Sequence, residues 1–174
     1  MQTAAASSSA ARDVFITGLK NVHAIEVQAS QIGGRQVERL ENYPALRARL
    51  EQHMRETDAQ MRRVEQVLRQ MGDSPSALKD AVTGFMGNMA ALAHAPAGDE
   101  VLKNLFADYA FESYEIASYR SLIAMAEEVM PDAVPALRES LSEEESMSSW
   151  LGEHIEDITR QYTARTAMGQ KADR

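Results

Sequence analysis

The chain has 174 residues, 44% of them apolar, with 18 Lys and Arg against 26 Asp and Glu for a net charge of −8, and no cysteine. That length can bury one sizeable core, the acidic balance argues against nucleic acid as the main partner, which needs clustered Lys and Arg, and the absence of Cys excludes disulfides and thiolate chemistry and agrees with a reducing, cytoplasmic setting. No run approaches the ~20 apolar residues of a membrane-spanning helix, so no membrane partner is expected, and the alternating β-branched runs that mark strands are missing.

Residues 1–10, MQTAAASSSA, are small and uncharged and lack the basic and apolar regions of a signal peptide, so a flexible tail is expected. A first helix is expected from Ala10 to about Glu41, with the stripe Phe15, Leu19, Val22, Glu26 and Ala29 and a kink or loosening at Gly33-Gly34. Asn42-Tyr43-Pro44 stops that helix and starts a second, which runs to about Met71. Its stripe is Leu46, Leu50, His53, Thr57, Gln60, Val64 and Val67, and Glu56 projects beside His53 three residues away. Gly72-Asp73-Ser74-Pro75 breaks it.

Residues 76–93 read as a shorter helix without an inward carboxylate. Placed between the second and third long helices, they make a crossover that lets those helices run parallel, as in ferritin-like bundles. The third long helix is expected from Asp99 to Met130, with Leu105, Tyr109, Glu112, Ile116, Tyr119 and Ile123 on one stripe and Glu115 leaning to the same side. The fourth runs from Val134 to Ala164, with Leu137, Leu141, Glu144, Ser148, Leu151, Ile155 and Ile158 inward. The expected fold is an all-α, ferritin-like four-helix bundle over residues 11–164, followed by a flexible tail at 165–174.

Each long helix thus carries a carboxylate where an apolar residue belongs. A charged carboxylate facing a core costs several kcal/mol unless a cation meets it. Four such positions, Glu26, Glu56, Glu112 and Glu144, together with His53 and Glu115, suit a carboxylate-rich di-metal centre. The carboxylates offset the mutual repulsion of two divalent ions, and imidazole adds a ligand suited to iron or manganese. Taken singly, each residue has a plainer reading: an inward Glu pairs with Arg, and a lone His packs in a core. Glu143 competes with Glu144, one residue and about 100° away. His23 reads as a surface residue, and Tyr109, Tyr114 and Tyr119 as packing residues that a metal would turn to other use. His154 lies ~15 Å along the helix from Glu144, too far to take part.

The runs HMRETDAQMRRVEQVL, ESYEIASY and LRESLSEEE, in this order and spacing, resemble the YciE/YciF family of ferritin-like bacterial proteins over about residues 12–163. The resemblance implies a four-helix bundle, a homodimer and a link to stress responses. The positions matching the family's acidic and histidine pattern are Glu26, His53, Glu56, Glu112, Glu115 and Glu144. Two features depart from the wider di-iron arrangement of Glu-x-x-His pairs. The second helix reads His53-x-x-Glu56, and Met147 stands where the fourth would offer a His. The centre is one nitrogen ligand short, with Glu115 making up the deficit or a single ion bound. The expected function is a ferritin-like metalloprotein in stress-linked handling of iron, oxygen or peroxide, with oxidase or peroxide-handling activity left open. The alternative is a metal-free helical scaffold or interaction protein.

Overall fold

In the computed structural model, which describes residues 2–73 and 100–173, four long helices account for nearly all of the described chain. They are α1 (Gln2–Val37), α2 (Pro44–Gln70), α3 (Glu100–Val129) and α4 (Val134–Ala167), with a 3-10 turn at Pro131–Ala133 before α4. α1 packs against α2 and α3, and α4 packs against α3 and α2, so the four form a square. No described helix is long and apolar enough to cross a membrane.

The direction of each helix follows from which residues share a core. At one end, Phe15 and Leu19 of α1 meet Val64 and Leu68 of α2, Leu122 and Ala126 of α3, and Leu137 of α4. At the other, Leu40 and Tyr43 meet Leu46 and Leu50 of α2, Val101 and Leu105 of α3, and Met147 and Leu151 of α4. The first cluster holds the start of α1 and α4 and the end of α2 and α3; the second holds the reverse. α2 and α3 therefore run parallel, as the long crossover requires. The short helix expected at 76–93 lies outside the described residues.

Between the two apolar clusters the core turns polar. Glu26, His53, Thr57, Gln60, Glu112, Glu115, Ser140 and Glu144 are all buried there. The sequence stripes put them at one height because each interrupts an apolar stripe near mid-helix.

Several expectations are corrected. α1 begins at Gln2, inside the stretch expected to be a tail, and its alanines are the strongest helix formers. It runs through Gly33-Gly34 without a break and ends at Val37 rather than near Glu41. Gly33 serves close approach instead: a Cβ there would come 2.6 Å from the Met54 sulfur. The end of the chain is docked, not frayed. After α4, Gly169 takes φ +67°, which a glycine accepts readily, and turns the chain back. Tyr43 then donates its hydroxyl to the Ala172 carbonyl at 2.6 Å, and Asn42 donates to that of Lys171 at 3.2 Å.

Candidate metal centre

The centre is built from three helices. His53 on α2 places Nε2 3.3 Å from Oε1 of Glu112 on α3 and 3.9 Å from Oε2 of Glu144 on α4. Glu115, one turn beyond Glu112, completes the group. One donor atom from each of His53, Glu112, Glu115 and Glu144 lies within 4.8 Å of all the others. All four residues are buried.

Glu26 of α1 lies in the same polar layer and is fully buried, with Tyr119 donating a 2.6 Å hydrogen bond to its Oε1. Glu56 sits at the rim. Its carboxylate receives Arg49 at 3.1 Å and Gln52 at 2.7 Å, and it faces Nδ1 of His53 at 3.4 Å. The six residues expected from sequence thus divide into a group of four, a neighbour in the same layer and a rim residue on the far side of the imidazole.

The competition between Glu143 and Glu144 is decided by α2. Arg63 grips both oxygens of Glu143 at 2.7 and 2.9 Å, which holds that side chain at the edge. Glu144 points inward, fully buried, and accepts a hydrogen bond from Gln60. His23 is not a surface residue: it is buried, with Nε2 3.2 Å from Oε1 of Glu65. Tyr109 and Tyr114 are exposed, and among the three tyrosines considered only Tyr119 reaches the layer.

The electrostatics are those of crowded acids in a dry place. Among the described residues, five oxygens on four buried glutamates have no hydrogen-bond partner while the carboxyls are ionised: Oε2 of Glu26, Glu112 and Glu144, and both of Glu115. Burial raises the Glu26 carboxyl to about 8, with Glu112 and Glu143 adding to it against the opposing pull of Tyr119 and His53. Burial and the charges of Glu112 and Glu26 take Glu144 to about 10. Glu115 is raised well above the ordinary range by burial and by Glu144, Glu26 and Glu112. Burial alone would lower the His53 imidazole, yet its hydrogen bonds to Glu112 and Glu56 outweigh that and raise it. Glu56 moves the other way, to about 2, chiefly through His53, with Gln52 and Arg49 contributing. Such clustering of perturbed groups marks functional sites more often than structural ones.

Sequence reasoning missed Asp108. It lies one turn before Glu112, accepts a 2.9 Å hydrogen bond from Gln36, and has its carboxyl raised to about 7 by burial. Its spacing to Glu112 and Glu115 at four and then three residues was the available signal.

The profile of a family described as a domain of unknown function, DUF892, matches residues 10–164. A solved structure from Xanthomonas campestris pv. campestris is 29% identical with a TM-score of 0.75, covering 90% of this chain and 98% of that one. YcfI of Rhodopseudomonas palustris is 28% identical with a TM-score of 0.63, over 82% of this chain and 92% of its own. The E. coli stress protein YciF superposes with a TM-score of 0.63 at 24% identity, over 83% of this chain and 94% of its own, and supports the fold. The YciE/YciF-type resemblance read from the sequence is borne out by these matches.

Proposed function

The chain belongs to the DUF892 family, and we propose that it acts there as a ferritin-like metalloprotein holding a carboxylate-rich centre of two divalent ions, iron or manganese. The observation that carries this reading is the set of five partnerless oxygens on four buried glutamates. A buried polar atom without a partner costs roughly 1–3 kcal/mol, more when charged. Two cations held in the layer would relieve them together. The donor set is oxygen-rich with one imidazole, which suits manganese or iron better than a soft-metal site would.

In this reading His53, Glu112, Glu115 and Glu144 would hold the ions, and Glu26, buried in the same layer, would add a fourth carboxylate. Charge balance favours two ions, because Glu26, Glu112, Glu115 and Glu144 carry four negative charges when ionised, whereas Glu143 and Glu56 are neutralised by their own arginines. Glu56 works from behind the imidazole: accepting a hydrogen bond from Nδ1–H, it turns the Nε2 lone pair inward and raises its basicity. It reaches an ion itself only on release from Arg49. Iron or manganese held there would supply one-electron redox chemistry toward oxygen or peroxide. The homodimer implied by the family pattern belongs to the same proposal. The outer face of α3, with Phe106 and Tyr114 exposed, is where a second copy would sit.

The test is elemental analysis of purified protein with an anomalous-scattering map. Two ions within reach of these glutamates support the reading. A protein that purifies without metal and shows no thermal shift with Mn(II) or Fe(II) returns it to the metal-free scaffold, for which the pairing of Glu26 with Tyr119 is the favouring observation.

A further inference from the structure

The polar layer is closed off by an apolar cluster at each end, so an ion needs a way in. One cleft opens beside it, at the end where α1 finishes and α2 and α3 begin. Arg39, Glu100, Asp108 and Asp173 are its charged lining residues, and Leu46 and Leu50 form an apolar wall. Arg39 is paired with Glu100 at 2.5 Å. With Glu100 offset by Arg39, Asp173 and, once ionised, Asp108 leave the cleft negative, and a negative cleft with low-dielectric walls concentrates cations.

Asp108 belongs to both places. It lines the cleft, and it stands on the face of α3 that carries Glu112, four residues and ~6 Å of helix rise away. Its carboxyl responds to the charges of both Glu112 and His53. One turn on, Oε2 of Glu112 has no partner among the described residues, and Glu112 is 3% exposed. The Gln36 amide, from α1, donates to Oδ1 of Asp108 and fixes that carboxylate in the cleft wall.

We propose that this cleft is the entry route for divalent cations and that Asp108 is the transfer ligand that takes an ion from the cleft and passes it to Glu112. This rests on the metal-centre reading above but concerns the rate of loading, not the capacity of the centre. Asp108 binds the ion only in transit and is no part of the resident ligand set.

The experiment follows Co(II) uptake by metal-free protein in stopped flow, reading the visible absorption of the bound ion. Four proteins are compared: wild type, Asp108→Asn, Asp108→Glu, and Asp132→Asn as an exposed control. We expect Asp108→Asn to load at least about fivefold more slowly while reaching the same stoichiometry and spectrum. Asp108→Glu should recover most of the rate, and Asp132→Asn should match wild type. The wild-type rate should also fall with salt more steeply than that of Asp108→Asn, since exposed charges are screened. Equal rates for wild type and Asp108→Asn overturn the route. Reduced stoichiometry in Asp108→Asn makes Asp108 a resident ligand and also overturns it. Wild type that takes up no Co(II) removes the metal centre itself, and the route with it.

Discussion

Glu115 is the most exposed to test among the buried acids, because neither of its oxygens has a hydrogen-bond partner. Glu115→Gln keeps the shape, removes one charge, and gives the neighbouring carboxylates an amide to accept from. In metal-free protein at neutral pH the native carboxyl must take up a proton to stay buried, and the substitution lifts that requirement. We expect it to raise metal-free stability, by on the order of 1–3 kcal/mol, and to lower Mn(II) affinity at least about tenfold. Urea denaturation and equilibrium dialysis read the two effects separately; a variant that binds Mn(II) like wild type would remove Glu115 from the ligand set. Tyr119→Phe has the opposite sign. It deletes the donor to Oε1 of Glu26 and leaves that carboxyl wholly without a partner. A loss of roughly 1–3 kcal/mol in the metal-free protein is expected from an unsatisfied buried acceptor, and unchanged urea midpoints would show that Glu26 finds another partner.

At the scale of elements, the end of the chain is a working part of the bundle. The Tyr43 ring is buried at the start of α2, and its hydroxyl holds the Ala172 carbonyl while Arg165 donates to that of Lys171 at 2.9 Å. Tyr43→Phe should cost about 1–2 kcal/mol and speed amide exchange in residues 169–172 ahead of the helices; exchange unchanged there would mean the turn at Gly169 holds the segment unaided. This docking was not legible in the sequence, because it is made with backbone carbonyls, which every residue carries. The helices were legible, since Leu105, Glu112, Tyr119 and Ile123 of α3 repeat at helical steps and are all buried. Tyr109 misled because it lies about 100° from Asp108, the residue on the true inner face, and so falls outside. Glu144 could not be separated from Glu143 by periodicity alone; Arg63 on another helix decides it. Glu26 is inward as read and Glu56 lies at the rim instead, and their partners, Tyr119 and Arg49, are tertiary facts.

For the molecule as a whole, a polar layer across the middle of an apolar core makes stability depend on pH and on metal together. Glu26 is raised from 4.5 to about 8 and Glu144 to about 10, so between the unfolded and folded values the folded protein binds more protons than the unfolded chain. Stability from these groups is full below the unfolded value of 4.5 and is lost as pH rises through about 8 for Glu26 and about 10 for Glu144. His53 has the same sign, because its folded value is also raised. Glu56, lowered to about 2, acts at the other extreme: its contribution is present above 4.5 and lost as pH falls through about 2. The metal-free protein should therefore be most stable in mild acid and lose Tm steadily from about pH 5 to about pH 9. On the proposed function, divalent ions would replace those protons, and binding would release them. The stabilisation from a fixed excess of Mn(II) should then grow with pH, since fewer protons compete for the same oxygens. Paired thermal melts across that range, with and without Mn(II), read both effects. The expected pattern is two curves that nearly meet in acid and separate toward alkaline pH, the loaded one flatter. A metal-free Tm that rises between pH 5 and pH 8, or a gap that does not change with pH, would mean that the buried glutamates are neither protonated without metal nor the groups that bind it.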